Sequence, residues 1–218
     1  MSRHPCQYSP EVLDVLAELI RPGEHIHDPY AGPGLRLGRL CDQLGATFTG
    51  TDIENWGLLA EGKDPRVALG DAGDHAGYPA VPFTATTSPV YGNKRCCDYP
   101  NGPHPTTKVK GRRDYGIAKG SALELANLAR TTGHKFARDQ RPYWEGHALA
   151  VKHWDERAIV NVDEPIGDGW CRLLEAGGFT IESVIPAFTR RYGGLDNAEK
   201  RADHEVVIVA TKKGMMEK

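Results

Sequence analysis

The sequence has no run of apolar residues long enough to cross a bilayer, and its N-terminus lacks the charged-then-apolar pattern of a signal peptide. We therefore expect a cytoplasmic protein with no membrane partner. Cysteines number five among 218 residues and form no C-x-x-C pair, which argues against both a zinc knuckle and a disulfide framework. The nine histidines are scattered, so no metal site is expected.

The chain also has little net charge, −2 at pH 7, but its charges are distributed unevenly. Residues 94–141 contain eleven basic and four acidic residues, a net charge of +7, and the rest of the chain carries −9. Such a basic block is either a solvated surface loop or a contact surface for phosphate groups, which Lys and Arg neutralise.

Helix and strand patterns alternate along most of the chain. Helices are expected at residues 9–20 (with Ser9 as N-cap), 35–45, 121–131 and 167–179. Strands are expected at 24–30, 47–54, 81–85, 146–154, 157–162, 180–188 and 204–213. This alternation favours an α/β fold, a mainly parallel sheet with helices on both faces. Because no repeat or linker is evident, we expect a single domain over residues 1–218.

A glycine-rich turn stands between the first predicted strand and the helix that follows it, in DPYAGPGLRLGRL, residues 28–40. In that context such a turn is typical of a cofactor site. Gly32 and Gly34 allow the backbone to turn tightly and a ligand to approach closely. The spacing matches neither a dinucleotide fingerprint nor a P-loop, so the turn alone is a weak signal.

Acidic residues follow the glycine-rich turn at the expected ends of the next two strands. Asp52 is placed to accept hydrogen bonds from two ribose hydroxyls. Asp71 lies where a third strand should end, in a position to meet an adenine. Each acid alone is more typical of a surface or capping group, but in series with the glycine-rich turn they indicate a nucleoside site.

Two short motifs, DPYAGPG at residues 28–34 and TSPVY at residues 87–91, stand out as a pair. They resemble the D-P-F-x-G-x-G motif and the (D/N/S)-P-P-(Y/F/W) catalytic tetrad of class I S-adenosylmethionine-dependent methyltransferases that act on amino groups of DNA. Three further segments are similar to the stretch before the glycine loop, the fifth strand and the closing strand of those enzymes: HPCQYSPEVLDVL, GHALAVKHW and ADHEVVIVATKK.

The resemblance implies a Rossmann-like methyltransferase fold, with a mostly parallel seven-stranded sheet whose last strand is antiparallel. It also implies S-adenosyl-L-methionine as the cofactor, bound at the carboxyl ends of the first strands, where open sheets bind their ligands. The cofactor-binding residues would then be Asp28, Pro29, Tyr30, Gly32, Gly34, Asp52, Ile53, Asp71 and Ala72.

The same resemblance assigns the chemistry to Ser88, Pro89, Val90 and Tyr91. The Ser88 side chain and the Pro89 carbonyl would accept hydrogen bonds from the target amino group and align its nitrogen with the methyl group. Tyr91 would stack on a base that has left the helix. Val90 replaces the second proline of the family, so the Pro89 carbonyl is less rigidly aimed.

Recognition of the target is expected from a basic insert at about residues 94–141, since no large recognition domain separates the two motifs. The expected substrate contacts are Asn93, Lys94, Arg95, Lys108, Lys110, Arg112 and Arg113. In the family that the chain resembles, a serine at the first tetrad position favours cytosine N4 over adenine N6, and the resemblance makes DNA the favoured polymer. Methyl transfer to RNA is one alternative. A catalytically silent binding module is another, because of Val90.

Overall fold

The computed structural model describes residues 8–53, 62–89, 141–188 and 205–214. Four α-helices lie in these ranges: α1 (Pro10–Leu19), α2 (Leu35–Leu44), α3 (Arg141–Val151) and α4 (Glu164–Ala176), and a short 3-10 helix covers His75–Gly77. Seven strands complete the described elements: β1 (His25–Asp28), β2 (Thr47–Asp52), β3 (Val67–Leu69), β4 (Thr84–Thr87), β5 (Arg157–Asp163), β6 (Phe179–Ala187) and β7 (Glu205–Lys212).

The seven strands form one sheet in the order β3-β2-β1-β4-β5-β7-β6. Pairing is parallel from β3 through β5, whereas β7 runs antiparallel to both of its neighbours. This arrangement confirms the mostly parallel sheet with an antiparallel last strand. The order reverses between β1 and β4, and in open α/β sheets the crevice at such a switch point is where ligands bind.

Local signals in the sequence explain where several helices begin and end. The Ser9 hydroxyl accepts the N–H of Val12 at 3.2 Å and caps α1, which then begins with a proline. Helix α2 ends at Gly45, whose φ of 70° places it in the left-handed region that favours glycine. Helix α4 ends at Ala176, and Gly178, two residues further on, has a φ of 86° in the same left-handed region.

The sheet is covered on both faces by apolar clusters. On β5, Ile159 belongs to one cluster and its neighbours Ala158 and Val160 to the other, as expected when side chains alternate along a strand. The first cluster packs α1 and α2 on the sheet through Val12, Leu16, Leu37, Cys41, Ile26, Phe48 and Val67. The second packs α3 and α4 through Val151, Trp154, Trp170, Leu174, Val162, Phe179 and Ile208.

One predicted strand is wrong. Residues 146–154, expected to be the fifth strand, form the second half of helix α3 and the turn after it, and the fifth strand is Arg157–Asp163. In α3 the buried positions are His147, Ala150 and Val151, spaced three and four residues apart as on one face of a helix. The helical period therefore prevails over the strand-like composition of a short apolar run.

The α-helices in the described ranges are short, from 10 to 13 residues each. A membrane-spanning helix needs about 20 residues. None of the helices in this part of the chain is both long enough and apolar enough to cross a bilayer.

Candidate cofactor and substrate site

The predicted site residues meet at the carboxyl edge of the sheet. Asp28 ends β1, Asp52 ends β2, Asp71 follows β3 closely, and Ser88 directly follows β4. Because these four strands are parallel neighbours, the sheet brings to one edge residues that lie up to 60 positions apart in the chain. We call this set of strand ends the cofactor edge.

Asp28 is the most deeply buried acid of the cofactor edge, with 2% of its surface exposed. Its Oδ1 accepts the backbone N–H of Tyr30 at 3.0 Å. Its Oδ2 accepts the hydroxyl of Tyr8 at 3.1 Å. Both carboxylate oxygens are therefore held, and the chain beyond β1 is fixed to the end of its own strand.

The pKa of Asp28 is raised to about 7, chiefly by burial and to a smaller extent by the charge of nearby Asp52. Hydrogen bonds from the Tyr30 N–H and the Tyr8 hydroxyl favour the ionised carboxylate and limit the rise. The carboxyl therefore changes charge near neutral pH. A positively charged ligand beside it would favour the ionised form.

The glycine loop is tied to β2 rather than to β1 alone. The N–H of Gly32 donates to Asp52 Oδ2 at 2.8 Å, and the N–H of Ala31 donates to the Thr51 carbonyl at 3.0 Å. Gly32 has a φ of 56°, a backbone conformation that favours glycine. Asp52 is predicted to bind a ribose, and one of its carboxylate oxygens also holds the glycine loop in shape.

Gly34 packs against neighbouring strands of the sheet, whereas a glycine of a ligand-binding loop is expected to face the ligand. Its φ is 66°, and a Cβ built on it would lie 2.5 Å from Val67 Cγ2 and 3.3 Å from the ring of Phe48. The close approach at Gly34 is therefore between the start of α2 and strands β2 and β3. Contact of Gly34 with a cofactor stays a prediction.

The third acid, Asp71, lies in a tight turn after β3 and is half-buried. Its Oδ1 accepts the N–H of Gly73 at 2.9 Å, and the Tyr78 hydroxyl donates to the carbonyl of Ala72 at 2.9 Å. These two hydrogen bonds hold the turn at the cofactor edge. Ile53, also half-buried, directly follows β2 at the same edge.

The first half of the predicted tetrad lies at the cofactor edge. Ser88 is half-buried and Pro89 is buried, and both follow β4, the strand beside the switch point. Val90, Tyr91 and the predicted substrate contacts between Asn93 and Arg113 lie outside the described residues. Their roles remain predictions from the sequence.

A pair that the sequence reasoning missed joins α3 to the residues after β1. His147 Nδ1 lies 2.8 Å from the hydroxyl of Tyr30, and the two rings meet edge to face at 5.1 Å between centroids. His147 is fully buried and also contacts Trp170, with 4.8 Å between ring centroids. No local signal could have found this pair, because 117 residues separate its members and the histidine lay in a segment expected to be a strand.

Within the described ranges, no group of three or more His, Cys, Asp or Glu side chains is placed to hold a metal ion. The groups gathered at the cofactor edge are instead three carboxylates and a set of backbone N–H groups. Carboxylates accept hydrogen bonds from hydroxyl groups and attract a cation. A nucleoside that carries a sulfonium offers ribose hydroxyls and a positive charge. The residues present therefore fit S-adenosylmethionine.

No protein-family model and no curated protein matches the sequence. Solved structures do match, at low identity. The cyclase SpnF is 14% identical with a TM-score of 0.53, covering 92% of this chain and 79% of its own. A proposed RNA methyltransferase from Pyrococcus horikoshii is 12% identical with a TM-score of 0.51, covering 97% and 91%. Magnesium protoporphyrin IX methyltransferase from Synechocystis PCC 6803, solved with bound S-adenosylmethionine, is 14% identical with a TM-score of 0.50, covering 93% and 79%.

These likenesses define the fold. The chain has the Rossmann-like fold of class I S-adenosylmethionine-dependent methyltransferases, as the strand order and the antiparallel β7 had indicated. The fold alone does not fix the reaction, since a cyclase shares it with methyltransferases.

Proposed function

We propose that the protein binds S-adenosyl-L-methionine at the cofactor edge and transfers its methyl group to an exocyclic amine of a DNA base, cytosine N4 in preference to adenine N6. The observation that supports this proposal is the position of Ser88 and Pro89. They directly follow β4, beside the switch point of a methyltransferase-type sheet and next to the strand that Asp28 ends. The first two residues of the motif that resembles the amino-methyltransferase tetrad therefore lie at the edge where the cofactor is expected.

The cofactor supplies an electrophilic methyl group and, as its leaving group, a neutral thioether. Asp52 and Asp71 would hold its ribose and adenine, and the loop of Gly32 would shape the space between them. Ser88 Oγ and the Pro89 carbonyl would accept the amino protons of the target base. These hydrogen bonds would make the nitrogen lone pair available and aim it at the methyl carbon. As the N–C bond formed and the S–C bond broke, one amino proton would be released to water.

The target would be held by two further parts of the chain. Tyr91 would stack on the extruded base, and the basic insert at about residues 94–141 would neutralise phosphates. The whole chain would form one methyltransferase domain around this insert. RNA is the second candidate substrate, because a structure of the same fold is a proposed RNA methyltransferase.

The direct test is transfer of a radiolabelled methyl group from S-adenosylmethionine to duplex DNA, single-stranded DNA and total RNA at low salt, followed by digestion to nucleosides. We expect label in DNA as N4-methylcytosine. Label only in RNA would move the proposal to the second candidate. Cofactor binding without label in any polymer would favour a silent module and would point to Val90.

Tyr91→Ala is expected to slow methyl transfer strongly and to leave binding of S-adenosylhomocysteine unchanged. Base–aromatic stacking is worth about 1–3 kcal/mol, so the transfer rate should fall by about 10- to 100-fold. Tyr91→Phe is the matched control, since it keeps the ring and should keep most of the transfer. Normal transfer by the alanine variant would remove Tyr91 from the site.

Asp52→Asn should weaken binding of S-adenosylhomocysteine by about tenfold, because it removes a charged hydrogen-bond acceptor from the ribose. The amide oxygen can still accept the N–H of Gly32, so the glycine loop keeps its shape. Asp52→Ala removes both interactions and should bind more weakly still. Titration calorimetry would measure both variants, and unchanged affinity in the asparagine variant would contradict the ribose assignment.

A further inference from the structure

A cluster of charged side chains lies beside the glycine loop, among residues that have no predicted role at the site. Arg66, which directly precedes β3, donates from Nε to Asp64 Oδ1 at 2.9 Å and from Nη2 to Asp64 Oδ2 at 2.7 Å. The same guanidinium donates from Nη1 to Asp42 Oδ1 at 2.7 Å and from Nη2 to Asp42 Oδ2 at 3.1 Å. Because Asp42 belongs to α2, the guanidinium joins the segment before β3 to that helix.

The backbone of Asp64 is bonded to the glycine loop itself. Its N–H donates to the carbonyl of Pro33 at 2.8 Å. Pro33 is the central residue of the Gly-Pro-Gly turn, and it follows the glycine whose N–H is held by the carboxylate of Asp52. Asp64 therefore contacts the loop through its backbone and Arg66 through its side chain.

The carboxylate of Asp64 depends on Arg66 because it is nearly buried. The side chain of Asp64 is 7% exposed, whereas those of Arg66 and Asp42 are 33% and 58% exposed. An exposed ion pair such as Arg66 with Asp42 contributes little by itself. A buried carboxylate that loses its donors is costly. Without the guanidinium, Asp64 would keep the backbone N–H of residue 66 as a donor and would turn towards water, which moves its own backbone.

We propose that Arg66 is a positioning residue of the glycine loop, because by holding the Asp64 carboxylate against α2 it keeps the Asp64 N–H on the carbonyl of Pro33. Loss of the guanidinium should loosen the loop and weaken the binding of the cofactor. The effect on the cofactor rests on the proposed binding of S-adenosylmethionine, whereas the link from Arg66 to the loop does not.

A glycine in α2 leaves room for this cluster. A Cβ built on Gly38 would overlap Asp64 Oδ2 and would lie 2.8 Å from Arg66 Nη2. Glycine is less favourable than alanine inside a helix, so its presence here needs a local reason. The space taken by the carboxylate and the guanidinium supplies that reason.

Arg66→Met removes the guanidinium and keeps an unbranched side chain over the ring of Phe48, where the guanidinium carbon now lies 5.2 Å from the ring centroid. We expect hydrogen exchange of the Asp64 amide, measured by nitrogen-15 NMR relative to the amide of buried Ile159 in β5, to become about tenfold faster. The ratio separates local opening from unfolding of the whole protein. Gly45→Ala is the matched control, since its strained φ lowers stability away from the cluster and should leave the ratio unchanged.

Binding of S-adenosylhomocysteine is the second measurement. In Arg66→Met we expect Kd to rise about fivefold to tenfold, and Gly45→Ala should bind normally although it is also less stable. The same substitution in an Asp64→Ala background shows whether Arg66 acts through that carboxylate. It should then cause no further loss of affinity, because the group that Arg66 holds is gone. Equal losses in both backgrounds would overturn the proposal.

Gly38→Ala disturbs the cluster from the side of α2. We expect faster relative exchange of the Asp64 amide and a higher Kd for S-adenosylhomocysteine, even though alanine favours the helix. Unchanged relative exchange in Arg66→Met would show that the loop does not depend on the guanidinium, and faster exchange with unchanged affinity would show that the link has no bearing on the cofactor. Either result would sink the proposal. If the natural protein binds no S-adenosylhomocysteine, the proposed function fails, and the exchange measurement still decides whether Arg66 holds the loop.

Discussion

Asp28→Asn is expected to make the protein more stable than its natural form at pH 8, and to lose that advantage near pH 4. The reason is that the folded protein raises the pKa of the Asp28 carboxyl from its ordinary value of 3.8 to about 7. Below pH 4 the carboxyl is protonated in both the folded and the unfolded chain. Above pH 7 it is ionised in both, and the folded chain then holds a buried charge.

The sign of the pH dependence follows from proton binding. Between about pH 4 and pH 7 the folded protein binds this proton more tightly than the unfolded chain, so raising the pH through this window lowers the free energy of unfolding. A shift of about three pH units corresponds to about 4 kcal/mol for a fully buried group. Asparagine has no proton to lose, so Asp28→Asn should lack this decline.

The measurement is the difference in the free energy of unfolding between Asp28→Asn and the natural protein, from urea denaturation at several pH values. Other titrating groups cancel in that difference, which should grow by several kcal/mol between pH 4 and pH 8. Asp74→Asn controls for the loss of an exposed carboxylate whose Oδ1 also accepts a backbone N–H, from Ala76 at 3.1 Å. Parallel stability curves for Asp28→Asn and the natural protein would contradict a raised pKa.

A buried carboxyl that weakens the fold at neutral pH calls for a functional explanation, since many destabilising groups in proteins lie at active sites. The position of Asp28 beside the glycine loop supplies such an explanation. A cation at the cofactor edge would favour the ionised form of Asp28 and recover part of the lost stability on binding. Asp28→Asn should therefore combine higher stability at pH 8 with weaker binding of the proposed cofactor.

The fold was predictable from the sequence because its signals are local. Ser9 caps a helix, Gly45 ends another, and acids follow the strands that lie on either side of the glycine loop. The number of strands and the antiparallel direction of the last one are not local, and they were expected from the resemblance to methyltransferases. The error at residues 146–154 arose because a short apolar run fits a buried strand and a buried helix equally well until its neighbours are known.

The contacts that shape the site were not predictable, because they join residues far apart in the chain. Tyr8 reaches Asp28 across 20 residues, and His147 reaches Tyr30 across 117. The raised pKa of Asp28 likewise depends on its burial by several elements. Residue types at the strand ends thus indicated where the site is, whereas the charges and hydrogen bonds within it needed the three-dimensional structure.

Gly34→Ala should be the most damaging small substitution at the glycine loop. The φ of 66° requires a left-handed conformation, which costs a residue with a Cβ about 1–2 kcal/mol. The new Cβ would also lie 2.5 Å from Val67 Cγ2, closer than real Cβ atoms approach their neighbours. Overpacking of this kind costs about 1–3 kcal/mol, so we expect a loss of about 2–5 kcal/mol in the free energy of unfolding.

Gly45→Ala separates the cost of the left-handed backbone conformation from the cost of the close contact with Val67. Gly45 has a similar φ of 70°, and a Cβ built on it meets no atom within 4 Å. Its replacement should therefore show the conformational cost alone, about 1–2 kcal/mol. Urea denaturation of the two variants compares them directly. Equal losses would show that the contact with Val67 relaxes freely, and the argument from close packing would then fail.

A double-mutant cycle tests whether the contact with Val67 causes the loss of stability in Gly34→Ala. Val67→Ala removes Cγ2, so Gly34→Ala should lose less stability in that background than in the natural protein, and the difference measures the clash. Val67 is 2% exposed and belongs to β3, the strand at the far edge of the sheet from β6. A positive result would mean that the shape of the glycine loop depends on packing against a strand 33 residues away. Binding of S-adenosylhomocysteine should then recover in the double variant together with stability, because the same contact controls both.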